Sequence, residues 1–198
     1  MEDARDGDFD DAIPALVPGD SGRDWLILLY VKEDEATPRL EVIPAAPDQE
    51  PILANLLELY AHDFSEFHNL ELGPDGRFGY KHLSLYWREP GRFPLLVKVD
   101  SQLAGLVLVI RGEVGWDMAE FFVVRGYRRR GIGTGVAHEV WRRFPGRWQV
   151  RVMESNRAAH RFWTQAISEF VGEAIRSLSV EDNGERWHVF TFESRPVA

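Results

Sequence analysis

The chain of 198 residues contains no cysteine and no long apolar run. Without cysteine it can form no disulfide framework, no thiolate metal site and no cysteine nucleophile. An apolar run of about 20 residues would be needed to cross a bilayer, and no charged-then-apolar secretory leader opens the sequence. These absences favour a soluble cytoplasmic protein without a membrane partner.

The chain also lacks an excess of basic residues. Its net charge is −9, and residues 1–50 hold 14 acidic and 4 basic residues, so the remainder is close to neutral. A near-neutral remainder gives no reason to expect nucleic-acid binding. The acidic segment could attract a basic partner, but its composition is more typical of a solvated tail. Residues 1–23 are therefore predicted to be a flexible acidic leader.

The remaining residues predict an α+β protein. Residues 24–31 contain a short apolar run and are predicted to form an extra strand, so that residues 1–38 are an extension to a domain spanning 39–198. The domain reads as strand, helix, hairpin, strand–helix–strand–helix and terminal hairpin, which predicts a mostly antiparallel sheet with one parallel pair. The predicted strands are 40–43, 94–99, 103–110, 116–124, 148–153, 172–180 and 187–192, and the predicted helices are 52–60, 134–144 and 156–167.

One segment combines an apolar strand, an arginine-rich turn with alternating glycines and the start of a helix. The strand ends at Val124, and Gly131, Gly133 and Gly135 lead into the helix. Glycine lets backbone N–H groups approach a phosphate closely, and the unpaired N–H groups of a first helical turn attract anions. An ordinary strand–turn–helix unit with solvated arginines is the alternative interpretation.

Two motifs in this order resemble those of the GNAT superfamily of acyl-CoA-dependent N-acetyltransferases. The segment Arg128-Arg129-Arg130-Gly131-Ile132-Gly133 matches the family pattern Gln/Arg-x-x-Gly-x-Gly/Ala, and residues 156–163 are similar to Asn-x-x-Ala-x-x-Phe-Tyr. The resemblance extends from about residue 40 to the C-terminus. It implies a mixed, mostly antiparallel central sheet with a V-shaped splay between its two central strands and helices on both faces.

The resemblance implies that acetyl-CoA binds at the splay, with no metal required. Backbone N–H groups of the turn would hold the pyrophosphate, the backbone of the preceding strand would pair with pantetheine, and Val123 or Val124 would polarise the thioester carbonyl. A bulge within residues 121–124 would open the splay. The implied binding residues are Phe122, Val123, Val124, Arg128, Arg129, Arg130, Gly131, Ile132, Gly133, Thr134, Gly135, Asn156, Ala159, Phe162 and Trp163.

The catalytic groups are less clearly indicated. Trp163 stands where many family members have a tyrosine that protonates the departing thiolate, and an indole cannot act as that acid. Asp117 and Glu120 are candidate bases on the strand that precedes the glycine turn. Because side chains alternate along a strand, two residues three positions apart are predicted to point to opposite faces of the sheet. We favour Glu120, the nearer to the splay, although a water chain could carry the proton instead.

Polar and aromatic residues after the first helix are candidates for binding the acceptor. His62, Asp63, Glu66, Tyr80 and Trp87 are the predicted contacts, and carboxylates there would favour a cationic amine, on a small molecule or a peptide. A metal site at His62, Asp63, Glu66 and His68 is disfavoured, because mixed polar helices usually face water. The resemblance leaves a homodimer open. The alternative function is a non-catalytic acyl-CoA-binding module or sensor that keeps the fold.

Overall fold

The computed structural model describes residues 38–195, so the predicted leader at 1–23 and strand at 24–31 lie outside the described residues. The strands within this range are β1 Leu40–Pro44, β2 Arg92–Val99, β3 Gln102–Gly112, β4 Gly115–Val123, β5 Gly146–Met153, β6 Leu178–Asp182 and β7 Glu185–Ser194, and the α-helices are α1 Glu50–Phe64, α2 Ile132–Arg143 and α3 Arg157–Val171. None of these helices has the length and hydropathy of a membrane span.

The seven strands form one sheet in the order β1-β2-β3-β4-β5-β7-β6. Every neighbouring pair is antiparallel except β4 and β5, which are joined through the crossover helix α2. That pair is short, with only Trp116 opposite Trp148 and Asp117 opposite Gln149. Beyond this point β4 and β5 separate, which confirms the predicted V-shaped splay between the central strands.

Alternation along the strands creates one core on each face of the sheet. Val107 and Val109 of β3 face α2 and α3, whereas Leu106 and Leu108 face α1, and all four are fully buried. A period of two places successive side chains on opposite faces, so β3 contributes to both cores. Helices therefore cover both faces of the sheet, as predicted.

A β-bulge at Ala119 changes which face each residue of β4 presents. Leu108 pairs with Glu120 but Val109 pairs with Met118, which leaves Ala119 as an extra residue. The predicted bulge within 121–124 was therefore wrong in position. The extra residue shifts the alternation, because Met118 faces α2 and α3 before the bulge and Phe121 and Val123 do so after it. Asp117 and Glu120 consequently share the α1 face, and the prediction that they point to opposite faces was wrong.

Candidate active site

The splay between β4 and β5 opens into a cavity of about 800 Å³. Its walls come from β4, β5, the turn before α2, the N-terminal half of α3, the C-terminal end of α1 and Trp187 of β7. The sequence-predicted residues among its lining are Glu120, Phe122, Val123, Arg128, Arg129, Gly131, Gly133, Thr134, Asn156, Ala159, Phe162, Trp163, Asp63 and Glu66. One cavity thus brings together most of the predicted cofactor and acceptor residues.

The glycine turn places the N-terminus of α2 against this cavity. Gly131 has a φ of +76°, in the left-handed region that favours glycine, and α2 begins at the next residue. At Gly133 an added Cβ would lie 3.2 Å from Cε2 of Phe162, so a side chain would crowd α3. The first-turn N–H groups of α2 have no partners within the helix and can bind an anion. The N–H of Gly135 already donates to the carbonyl of Gly131 at 3.0 Å, which removes that residue as a donor.

The three arginines of the turn have different surroundings. Arg128 donates through Nε to the carbonyl oxygen of Val123 at 2.6 Å, and its Nη2 lies 2.5 Å from Oδ2 of Asp63. It therefore joins the turn to β4 and α1, and these contacts engage two of the five N–H donors of its guanidinium. Arg129 lines the cavity, and Arg130 is exposed outside it. Arg129 is the member of the cluster best placed to add positive charge at the helix N-terminus.

Backbone groups of β4 beyond the bulge are oriented by its pairing with β3. The N–H of Val124 donates to the carbonyl of Ala104 at 2.8 Å, so it is not free to polarise a bound carbonyl. Successive N–H groups of a strand point to opposite sides, which directs the N–H of Val123 towards the splay. Of the two predicted donors, the geometry therefore favours Val123.

The second motif forms another wall of the cavity, with Phe162 beside Gly133 of the turn. Asn156 caps α3, because its Oδ1 accepts the N–H of Ala159 at 2.9 Å. Trp163 is 6% exposed and packs edge-on against Phe121 and Phe162, with ring centroids 4.9 and 4.8 Å away. An indole N–H is a donor only, so this side chain serves packing and shapes the wall.

Glu120 lies just past the bulge on the α1 face, between tyrosines from two other segments. Burial raises the pKa of Glu120, hydrogen bonds from the hydroxyls of Tyr60 and Tyr80 lower it in part, and the charge of Asp117 raises it further. Tyr80 reaches this position because Glu58 of α1 accepts the N–H of Gly79 at 2.9 Å and so holds the loop. A carboxylate with a raised pKa is a stronger base, as proton abstraction requires.

Asp117 faces the same side of the sheet as Glu120 but has a different partner. Its Oδ2 lies 3.1 Å from Nη2 of Arg151 on β5, across the start of the splay. Its Oδ1 is buried and has no hydrogen-bond partner among the described residues. Burial raises the pKa of Asp117, and the Arg151 guanidinium opposes that shift. Asp117 is thus a buried anchor for Arg151, which makes Glu120 the better candidate base.

The predicted acceptor residues divide into two groups. Asp63 and Glu66 line the cavity, and Tyr80 faces Glu120. His62 is not among the residues that line the cavity, and its side chain is 76% exposed to solvent. Trp87 packs in the core beside α1, where its Nε1 donates to the carbonyl of Ala45 at 2.9 Å. Trp87 is therefore a structural residue, and the prediction that it binds the acceptor lacks support from its position.

Asp63 is held by arginines and is not available as a free carboxylate. Its Oδ1 lies 2.6 Å from Nη2 of Arg125, and Arg128 occupies its other oxygen. Although burial acts in the opposite direction, hydrogen bonds from these two arginines lower the pKa of Asp63. Within residues 38–195, no three His, Asp or Glu side chains are close enough to hold a metal ion. Asp63 therefore joins α1 to the anion-binding turn.

Sequence reasoning missed Tyr60, Arg125, Arg151 and Trp187. Tyr60 belongs to the apolar stripe of α1, where an aromatic residue is ordinarily a core residue. Arg151 alternates with Val150 and Val152 along β5, a pattern that indicates a residue pointing away from one core. That alternation identified the face of Arg151 but not its proximity to the splay.

Comparisons with known proteins agree with this geometry. A family model described as the acetyltransferase (GNAT) family matches residues 53–167, more than half of the chain. Similar solved structures include an acetyltransferase from Thermus thermophilus, with 18% identity, 78% of this chain and 96% of that chain covered, and a TM-score of 0.58.

Two further structures carry coenzyme A or its acetyl form. The PaiA N-acetyltransferase from Thermoplasma acidophilum in complex with coenzyme A is 10% identical, covers 78% of this chain and 99% of its own, and gives a TM-score of 0.57. A GNAT family acetyltransferase from Elizabethkingia anophelis with acetyl-CoA bound is 13% identical. The match covers 78% of this chain and 97% of that chain, with a TM-score of 0.53. A sequence search of the curated proteins gives no match. The family model and the fold together show that this chain belongs to the GNAT family of acetyltransferases.

Proposed function

We propose that this protein transfers the acetyl group of acetyl-CoA to a primary amine by direct attack in a ternary complex. The observation that carries the proposal is the position of Glu120, a partly buried base candidate in the same cavity as the glycine turn. The chain has no cysteine to carry the acyl group, which favours direct transfer.

The residues of the cavity fit acetyl-CoA. The first-turn N–H groups of α2 and the positive charge of Arg129 suit a pyrophosphate, and the splayed edge of β4 offers unpaired backbone groups to an amide-rich arm. Acetyl-CoA supplies the acetyl group as an activated thioester. The solved structures that carry coenzyme A and acetyl-CoA on a similar fold support this assignment.

Residues around the splay would then divide the chemistry between them. Glu120 accepts a proton from the acceptor ammonium, and the N–H of Val123 donates to the carbonyl oxygen as negative charge develops there. The new N–C bond forms as the C–S bond breaks. The attacking nitrogen gives up its second proton to water as the C–S bond breaks, and the departing thiolate takes a proton from water, because Trp163 has no acidic proton to give.

The position of Trp163 also favours a second candidate, a non-catalytic acyl-CoA-binding module or sensor. Its indole is packed where family members often have a tyrosine acid, so the fold could be retained for binding alone. Turnover separates the two candidates, because a sensor binds acetyl-CoA but releases no free CoA with any amine.

The first test combines calorimetric titration with acetyl-CoA and a screen of amines for release of free CoA. We expect micromolar binding and amine-dependent release by the full chain. Binding without release by any amine would overturn the catalytic proposal in favour of the sensor. Absence of binding would overturn both candidates, since both require the cofactor site.

A further inference from the structure

We infer that the acceptor carries a carboxylate as well as an amine, and that Arg151 binds this carboxylate. The substrate class is then an α-amino acid or a closely related amino-carboxylate. The inference rests on the proposed function for its reaction, but the binding site that it names can be tested without turnover.

Arg151 lies on β5 at the point where the splay has just opened. The pairing of β4 with β5 ends at Gln149, and Arg151 is the next residue of β5 on the same face. Val150 and Val152 point into the core beside α2 and α3, so the side chain of Arg151 points to the α1 face, where Glu120 lies. Arg151 and Glu120 line the same cavity from opposite sides of the splay.

Asp117 holds the guanidinium of Arg151 without using up its donors. The contact joins a single nitrogen, Nη2, to Oδ2 at 3.1 Å, and it is the sole hydrogen bond of this guanidinium within residues 38–195. A guanidinium has five N–H donors in a planar fork that matches a carboxylate. The side chain is 47% exposed, so the remaining donors are accessible from the cavity.

The other charged groups of the cavity come from α1 and the turn before α2. Asp63 is paired with Arg125 and Arg128, Glu66 is exposed, and Arg129 lies at the start of α2. Glu120 and Arg151 are the charged side chains that the two splayed strands, β4 and β5, contribute to the lining. An ammonium group and a carboxylate on the same small molecule satisfy both, whereas a polyamine would place a second cation near a guanidinium.

Apolar side chains also line the cavity. They include Phe64, Phe67, Met153 and Trp187. Such walls suit the side chain of an amino acid such as leucine, methionine or phenylalanine.

The test compares matched pairs of amines that differ only in the carboxylate. Leucine, methionine and phenylalanine are each assayed against their amides, with phenethylamine and spermidine as amines without a carboxylate. The full chain is compared with Arg151→Gln, Arg151→Lys and Arg147→Gln. Arg147 is an exposed arginine on the same strand and the same face, away from the cavity, and serves as the control. Arg151→Lys keeps a cation beside Asp117 in case the glutamine variant is poorly folded.

The informative quantity is the ratio of kcat/KM for acid over amide within each variant, since it does not depend on the fraction of folded protein. We expect the acids to be favoured roughly ten- to hundredfold, the range typical of a charged hydrogen-bonded pair. Arg147→Gln should retain this ratio, Arg151→Lys should reduce it, and Arg151→Gln should bring it close to one. Acetyl-CoA affinity should be unchanged in all three variants.

Equal or faster transfer to the amides, phenethylamine or spermidine would overturn the inference while leaving the proposed function intact. If no amine releases CoA, the proposed function fails. Calorimetry of each acid and amide against the CoA-saturated protein then tests whether Arg151 binds a carboxylate. Selective binding of the acids that Arg151→Gln abolishes would support the inference, whereas equal binding of acid and amide, or no binding of any acid, would overturn it.

Discussion

The two halves of the cavity are built in different ways. The proposed cofactor half consists of the turn and first turn of α2 with the start of α3, residues 123–134 and 156–163, and it offers backbone N–H groups and glycine. The proposed acceptor half consists of Glu120 of β4, Tyr60 of α1 and Arg151 of β5, with Tyr80 of a loop beside Glu120. Backbone N–H groups are present whatever the side chains are, so the first half can keep the same cofactor while the sequence changes. The second half depends on individual side chains, so a single substitution there can change the substrate.

The largest effect should come from Glu120→Gln, which removes the base from the acceptor half. We expect kcat to fall by roughly 10² to 10⁴, the range for a lost general base. Acetyl-CoA affinity should not change, because the cofactor half is intact. Free-CoA release and calorimetry measure the two quantities. A loss below threefold would indicate that a water chain carries the proton.

The same variant should be more stable at alkaline pH. Burial raises the pKa of Glu120 in the folded state, so its charge destabilises the fold above that pKa and has no effect well below the ordinary pKa of glutamate. Glu120→Gln should therefore melt at a higher temperature than the parent protein at pH 8, by roughly 2–4 °C per kcal/mol. The difference should disappear near pH 4. A lower melting temperature at pH 8 would contradict the assigned burial cost.

Gly133→Glu should damage the other half alone. The new side chain would crowd Phe162 and bring a negative charge to the site for phosphates. We expect acetyl-CoA to bind on the order of 100-fold more weakly, about 2.7 kcal/mol. Gly126→Ala is the matched control, since a Cβ at Gly126 meets nothing within 4 Å and Gly126 does not line the cavity. Unchanged binding in Gly133→Glu would refute the anion site.

Asp63→Asn tests the contact between α1 and the turn. Its loss frees Arg125 and Arg128 from the carboxylate, although Arg128 keeps its bond to the carbonyl of Val123. We expect acetyl-CoA affinity to fall severalfold, with less than about 1 kcal/mol of stability lost because the pair is partly solvated. Calorimetry and thermal unfolding measure both. Glu139→Gln, which breaks the exposed pair with Arg143 on α2, should change neither affinity nor turnover.

The smallest effect should be a shift of the pH profile in Tyr80→Phe. The Tyr80 hydroxyl lowers the pKa of Glu120, so its removal should raise that pKa further above its ordinary value. Glu120 is active when deprotonated, so kcat/KM falls as pH decreases through its pKa, and this acidic limb should move to higher pH. Tyr127→Phe should leave the limb in place. A shift to lower pH would contradict the assigned contact.

Sequence reasoning succeeded where local structure depends on consecutive residues. The strand, glycine turn and helix around Gly131, and the cap at Asn156, follow from backbone conformations that neighbouring residues determine. The backbone of the glycine turn, the start of α3 and the sheet with its splay were predictable for this reason.

The acceptor half was decided by tertiary structure. A single extra residue at Ala119 reverses the alternation of β4, and nothing in the local sequence marks which residue of a strand will bulge. That shift placed Asp117 and Glu120 on one face, and the packing of α1 and β5 brought Tyr60 and Arg151 beside them. By itself the sequence determined the strand order and the glycine turn, because these arise from local conformation. Only the tertiary structure determined the proposed acceptor site, because its contacts join residues up to 60 positions apart, as Tyr60 and Glu120 are.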